Sequence, residues 1–132
     1  MEILIVAAEL SPYARAGETA DSVAALSRML VQLGHEVTVA LPRYPSFEEQ
    51  GLLVARRLTP LRLATGESVT VFDGQLGSGV KIALFEGPEY FARPGVYGEG
   101  DEPYADNSRR FALLAQAAAA LAVQRAAQGQ AF

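Results

Sequence analysis

The chain has 132 residues, 50% of them hydrophobic and 20% charged, the balance of an ordinary globular domain rather than of a disordered one. Its 15 acidic and 11 basic side chains leave a net charge of −4, which argues against a nucleic-acid partner, and no stretch approaches the ~20 apolar residues that span a bilayer. There is no cysteine and one histidine, His35, which excludes disulfides, thiolate metal sites and His-rich metal clusters.

The length predicts a single domain over residues 1–132. Glu2 stands where a secretory signal carries positive charge, so the expected location is cytoplasmic. The apolar run Ile3–Ala8 reads as a strand buried on both faces. A loop carrying Gly17 follows. A helix comes next, with Val23, Leu26, Leu30 and Leu33 on one face and Asp21, Ser22, Ser27 and Arg28 on others. Thr19 or Asp21 is placed to cap it, and Gly34 to stop it in the left-handed conformation. Glu36–Leu41 then reads as a second strand, closing a βαβ unit. Such a unit aims the helix N-terminus, with its unpaired N–H groups, at whatever lies above the carboxyl end of the first strand.

Beyond Pro42 the residues 43–51 read as a loop. Short β-rich runs follow at Leu53–Arg57, Val69–Asp73 and Val80–Phe85, a small hairpin elaboration whose last run returns to the main sheet. Gly87–Tyr104 carries Gly87, Gly95, Gly98 and Gly100 with Pro88, Pro94 and Pro103, a long loop of the kind that serves function. Asp106 or Asn107 caps an Ala-rich helix to about Gln128, with Phe111, Leu114 and Leu121 on its apolar face, and the tail to Phe132 is expected to fray. The fold class is therefore α/β, a Rossmann-like, partial doubly wound sheet with a β-hairpin elaboration.

The strand Ile3–Glu9, the loop Pro12–Asp21, Leu33–Val37, Leu41–Pro45 and then Phe91, Arg93, Gly95, Tyr97, Gly98, Tyr104, Asp106, Asn107, Arg110 and Phe111 together, and in this order, resemble the amino-terminal part of bacterial glycogen synthases and plant starch synthases. The resemblance implies the N-terminal domain of a two-domain GT-B-type glycosyltransferase. The reaction it implies is retaining transfer of glucose from ADP-glucose to the non-reducing end of an α-1,4-glucan, with no metal or redox cofactor. It places Arg15, Gly17 and Asp21 at the donor phosphates and Tyr97 on the acceptor side of the cleft. It places no catalytic residue within this chain, because the cleft histidine and the second domain's groups lie beyond it, so the isolated chain is expected to show no turnover.

The family's loop runs Lys-Thr-Gly-Gly-Leu, and here it reads Arg15-Ala16-Gly17-Glu18-Thr19. Arginine keeps the cation, although its planar fork does not replace a lysine point charge directly. Glu18 is the graver change: a carboxylate ~5 Å from a phosphate charge costs about 3 kcal/mol at an effective dielectric near 20. It could also turn toward Arg15 and neutralise it. Asp21 reads either as a site contact or as a helix cap, Arg15 as a phosphate ligand or a solvated loop residue, and Tyr97 as an acceptor contact or an anchor of its Gly-rich loop. Glu9, close to the loop, has no assigned role, and His35 reads as a turn residue.

Two functions stand beside each other: the N-terminal domain of a glycogen- or starch-synthase-like enzyme, or a diverged, non-catalytic domain of the same fold for glucan binding or protein association. A domain for another sugar nucleotide is a weaker third, since fold alone does not choose a substrate. A partial sheet also exposes an edge, for which self-association is an outlet.

Overall fold

The computed structural model describes all residues, Met1–Phe132. Its centre is a five-stranded sheet ordered β1-β2-β7-β6-β3. The strands β1 (Glu2–Val6), β2 (Glu36–Pro42) and β7 (Lys81–Phe85) run parallel, with Val39 opposite Ile5 on one side and Ile82 on the other. β6 (Val71–Gln75) and β3 (Val54–Arg56) then extend the sheet antiparallel. The expected hairpin elaboration is thus part of the main sheet, and Val80–Phe85 does return to β2. A separate two-stranded ribbon pairs β4 (Leu61–Arg62) with β5 (Ser68–Val69).

The strand expected to be buried on both faces is the edge of the sheet. β1 has no partner on its outer side, its residues are half-buried, and Val6 is exposed. Full burial belongs instead to β2 from Val37 onward and to β7 from Ile82 onward. β2 is central in the sheet and is contacted by both α1 and α4, the cover that a continuous hydrophobic strand requires.

Helix α1 (Glu18–Gln32) crosses from β1 to β2 and packs on β2. Its buried face is not the one periodicity suggested: Ala20 and Ser27 are buried with Val23 and Leu30 partly so, whereas Leu26 and Leu33 are exposed. Small residues form the contact, and Ser27 satisfies its hydroxyl on the Ala24 carbonyl. The helix ends in a Schellman motif, with Gly34 at φ 94° donating to Val31 and His35 donating to Leu30.

The segment 43–51, expected as a loop, contains the short helix α2 (Pro45–Glu49), and Phe47 is fully buried beneath it. The long Gly/Pro segment contains helix α3 (Pro88–Phe91) and a tight hairpin of β8 (Gly98–Glu99) with β9 (Glu102–Pro103). Helix α4 (Asn107–Ala127) lies against β1, β2 and β4 through Leu114, Ala117, Ala118 and Leu121, the alanines allowing close approach. Phe111 is only partly buried. No helix is long and apolar enough to cross a membrane. The tail beyond α4 makes two contacts with it: Gln130 donates to the Arg125 carbonyl, and the Arg125 guanidinium covers the Phe132 ring at 4.5 Å.

Candidate functional site

The loop from Leu10 to Gly17 leaves the carboxyl end of β1 and delivers the chain into α1. Leu10 and Ala14 exchange two backbone hydrogen bonds across a narrow bridge, which bulges Ser11–Tyr13 outward, and Ser11 N–H reaches forward to the Ala20 carbonyl. Gly17 is the N-cap residue, in extended backbone, and no side chain caps the helix. The expected cap by Thr19 or Asp21 is therefore corrected. Within the first turn the N–H groups of Glu18 and Thr19 meet no acceptor, so they stay open.

Asp21 turns to Arg15 instead. The Arg15 Nε and Nη2 donate to the two carboxylate oxygens at 3.1 and 2.9 Å, and Ser11 Oγ donates to Oδ1. Those Arg15 bonds, followed by the Ser11 hydroxyl, pull the Asp21 carboxyl down to about 2. In return Asp21 holds the Arg15 guanidinium protonated, with smaller help from the charges of Glu18 and Glu9. Both side chains are about half exposed, at 50% and 52%, so the pair is open to competition from a ligand. Glu18, which the sequence offered as a neutraliser of Arg15, points its carboxylate at no hydrogen-bond partner; Asp21 takes that part.

The Gly17 amide is not open. Its N–H and that of Ala16 both donate to Glu9 Oε1 at 2.9 Å, while Glu9 Oε2 accepts the Tyr97 hydroxyl at 2.6 Å. Glu9 is only 3% exposed. Burial pushes its carboxyl upward, but the Tyr97 hydroxyl, the two amides and the Arg15 charge together hold it below the usual glutamate range. Sequence reasoning gave Glu9 no role. The available signal was a carboxylate closing an apolar strand one loop before a glycine-bearing helix start.

Tyr97 reaches Glu9 from a second loop, which α4 holds in place. Arg110 is fully buried and donates to the carbonyls of Tyr90 and Val96 and to Asn107 Oδ1. Its guanidinium lies 4.6 Å from the Tyr104 ring centre and 5.2 Å from that of Phe111, with Nη2 left unpartnered. Burial lowers its pKa. Asn107 donates to the Tyr97 carbonyl, and Asp106, the N-cap residue by position, spends its carboxylate on a fork from Arg93 rather than on the helix. Tyr97 also packs its ring on Phe111, with centroids 5.7 Å apart.

Between the two loops opens a recess of about 520 Å³, lined by Pro12–Ala16 from one side and Pro94–Gly98 with Gly100 from the other, and completed by Tyr44, Ser46 and Gln50. Arg15 and Tyr97 thus share one recess. Asp21 stands behind Arg15 and Gly17 is turned toward Glu9, so neither lines it. Tyr13 and Tyr44, which were not singled out, do. Tyr13 stacks on Phe47 at 5.7 Å, its carbonyl held by Gln50, and Tyr44 donates to the Ala8 carbonyl at 2.8 Å. His35 lies outside the recess, its ring against the Met1 amino group. In chemical terms the recess offers one guanidinium and three tyrosines, and the chain leaving its Arg15 side runs into a helix start with two open amides, the equipment for an oxyanion beside a polyhydroxylated ring system.

The family model described as the starch synthase catalytic domain matches residues 2–130. A glycogen synthase of Treponema denticola is 39% identical over 121 residues, covering 89% of this chain and 25% of that protein. A glycogen synthase of Anaeromyxobacter sp. (strain Fw109-5) is 39% identical over 125 residues, covering 92% and 25%. Among solved structures, the catalytic domain of starch synthase IV from Arabidopsis thaliana, bound to ADP and acarbose, superposes with a TM-score of 0.76 at 26% identity over 95% of this chain and 25% of its own. The chain spans about a quarter of the length of these relatives, matching their amino-terminal part.

Proposed function

The chain belongs to the starch synthase catalytic domain family, and on that premise we propose that it forms one wall of the cleft of a cytoplasmic glucosyltransferase moving glucose from ADP-glucose to an α-1,4-glucan. The observation that carries this reading is the placement of Arg15 and Tyr97 on one recess, with the open first turn of α1 beginning three residues after Arg15. A diphosphate gathers charge as the glucosyl group leaves it. A guanidinium fork and fixed amide dipoles stabilise that charge without reorganising. Arg15 does so by exchanging Asp21 for phosphate oxygens. Tyr97 and Tyr13 offer ring surface to the glucan. No residue of this wall acts on the reacting bond; that chemistry needs the opposite wall, which also excludes water. The proposal needs no metal or redox cofactor. The 132-residue chain by itself is expected to bind and not to turn over.

One observation favours a second reading, a glucan-binding domain without transfer. Three carboxylates, Asp21, Glu18 and Glu9, surround the single guanidinium of the loop and raise its proton affinity, so the phosphate side is electrostatically poor. Titration calorimetry of the chain with ADP-glucose and, separately, with maltoheptaose tests both. Binding of ADP-glucose, lost in Arg15→Ala, supports the synthase wall. Binding of maltoheptaose alone supports the second reading, and glucose transfer by the chain alone would overturn the claim that one wall is insufficient.

A further inference from the structure

Glu9 is a buried carboxylate that the proposed transfer does not use, and its two oxygens are divided between the two loops of the recess. Oε1 takes the Ala16 and Gly17 amides, 7 and 8 positions on, and Oε2 takes the hydroxyl of Tyr97, 88 positions away in the chain. Neither amide has another acceptor, and the Tyr97 hydroxyl has no other partner. The loop that carries Arg15 and the loop that carries Tyr97 are thus tied through a single carboxylate. No side chain that lines the recess bridges the two loops directly by hydrogen bonds.

We propose that Glu9 is a positioning residue that couples the two sides of the recess, so that the state of the Tyr97 hydroxyl sets how the Arg15 loop receives a nucleoside diphosphate. The inference rests on the proposed donor role of that loop. The physical step is short. While the hydroxyl donates to Oε2, the carboxylate stays in place and holds Ala16 and Gly17 in the conformation that starts α1 with Glu18 and Thr19 N–H facing out. When a sugar hydroxyl on the glucan side draws the Tyr97 hydroxyl away, one oxygen of a buried carboxylate is left unsatisfied. The carboxylate then shifts, and the amides it holds shift with it. Linkage requires the effect to be reciprocal, so a diphosphate at the loop alters glucan affinity by the same factor.

The test uses the ¹⁵N-labelled 132-residue chain and ADP as probe. The Ala16 and Gly17 amide resonances, bonded to the carboxylate, report its titration; the ionisable groups facing Glu9 are Arg15, Tyr97 and Tyr44. In Tyr97→Phe the midpoint seen at these amides is expected to rise, because a bond to the charged form is gone, and ADP affinity to fall by about threefold to tenfold. Glu9→Gln keeps a carbonyl for the two amides and an amide nitrogen for the tyrosine oxygen. It should abolish the acid titration at Ala16 and Gly17 while leaving ADP affinity within about threefold, as a positioning role through hydrogen bonds demands. A midpoint unmoved in Tyr97→Phe, equal ADP affinity in Tyr97→Phe and the unsubstituted chain, or a tenfold loss in Glu9→Gln overturns the coupling while the donor reading stands. Absence of ADP binding by the unsubstituted chain overturns the donor reading, and the coupling falls with it.

Discussion

Gly17 and Gly95 both look like loop glycines of the site, yet the structure separates them sharply. A Cβ built on Gly17 meets nothing within 4 Å, and its φ of −164° is open to any residue. A Cβ on Gly95 falls 1.7 Å from the Gly98 carbonyl oxygen and 2.8 Å from its carbon, both backbone atoms, where real contacts do not go below 3.0 Å. To admit that methyl group the β8–β9 hairpin must retreat by more than an ångström, dragging Tyr97 and its hydrogen bond to Glu9. Backbone cannot yield as a side chain does, so Gly95→Ala belongs to the costly end of overpacking, about 2–3 kcal/mol, or a fall in Tm on the order of 10 °C for a domain of this size. Gly17→Ala should leave Tm unchanged or slightly raised, since it removes unfolded-state freedom at a permitted conformation. Gly17 does not line the recess and its amide is held by Glu9, so ADP-glucose affinity should change little as well. Differential scanning calorimetry and titration calorimetry of both variants decide the matter. A Gly95→Ala protein that melts within 2–3 °C of the unsubstituted chain, a shift worth less than about 1 kcal/mol, would refute the packing argument. A large fall in the Tm of Gly17→Ala would refute the claim that a side chain at this position meets nothing.

Three further outcomes are expected. Glu18→Gly should tighten ADP-glucose by about tenfold rather than the hundredfold of a partly desolvated charge, because the Glu18 carboxylate is exposed and water screens it; equal affinities by calorimetry would remove Glu18 from the account. Asp21, with a folded-state pKa of about 2 against an ordinary 3.8, binds its proton more weakly when folded, so the stability it contributes is present above pH 4 and lost as pH falls from about 4 toward 2. Carbon-detected NMR titration should show the low midpoint, and Arg15→Ala should return it toward 3.8; a midpoint indifferent to Arg15 would discard the pair. Arg110→Ala removes the donor to the carbonyls of Tyr90 and Val96 and opens a cavity among Phe91, Tyr104 and Phe111, so urea denaturation should show a loss of about 3–4 kcal/mol. Arg110→Lys should recover little of it, since a lysine cannot reach three acceptors as a planar fork does; full recovery would show that charge alone matters.

How far the fold was legible depended on the distance over which each signal acts. The βαβ unit, the Gly34 stop and the return of Val80–Phe85 to the sheet follow from local period and turn chemistry, and all three are present. The burial of β1 was misread because an apolar run announces compatibility with a core and not the number of neighbours; here the neighbours lie on one side only. The contact face of α1 was misread for a related reason. Periodicity favours the large residues Leu26 and Leu33, whereas the sheet accepts the small ones, Ala20 and Ser27, and leaves the leucines outside. Helix α2 was hidden by Pro45, which reads as a breaker until it is seen at the first turn of a helix, where a missing N–H costs nothing.

The site was legible in its residues and not in its pairings. Arg15 and Tyr97 were named from resemblance and do face one recess, but the carboxylate that joins their loops stands at the end of β1, and nothing in a linear pattern brings residue 9 to residue 97. Asp21 shows the same limit. Its place just inside a helix start is equally suited to a cap or to a ligand, and the structure gives it no part in capping, because the guanidinium six residues earlier is within reach and binds it through Nε and Nη2. That pairing changes what the replacement of lysine by arginine means. A lysine ammonium beside Asp21 would act as a point charge; Arg15 answers both carboxylate oxygens and leaves Nη1 without a hydrogen bond, so a phosphate oxygen can be engaged before Asp21 is released. The exchange from carboxylate to diphosphate proposed for this loop would then proceed without a fully unpaired guanidinium, and an arginine at this position is compatible with the proposed donor role despite the acidic loop around it.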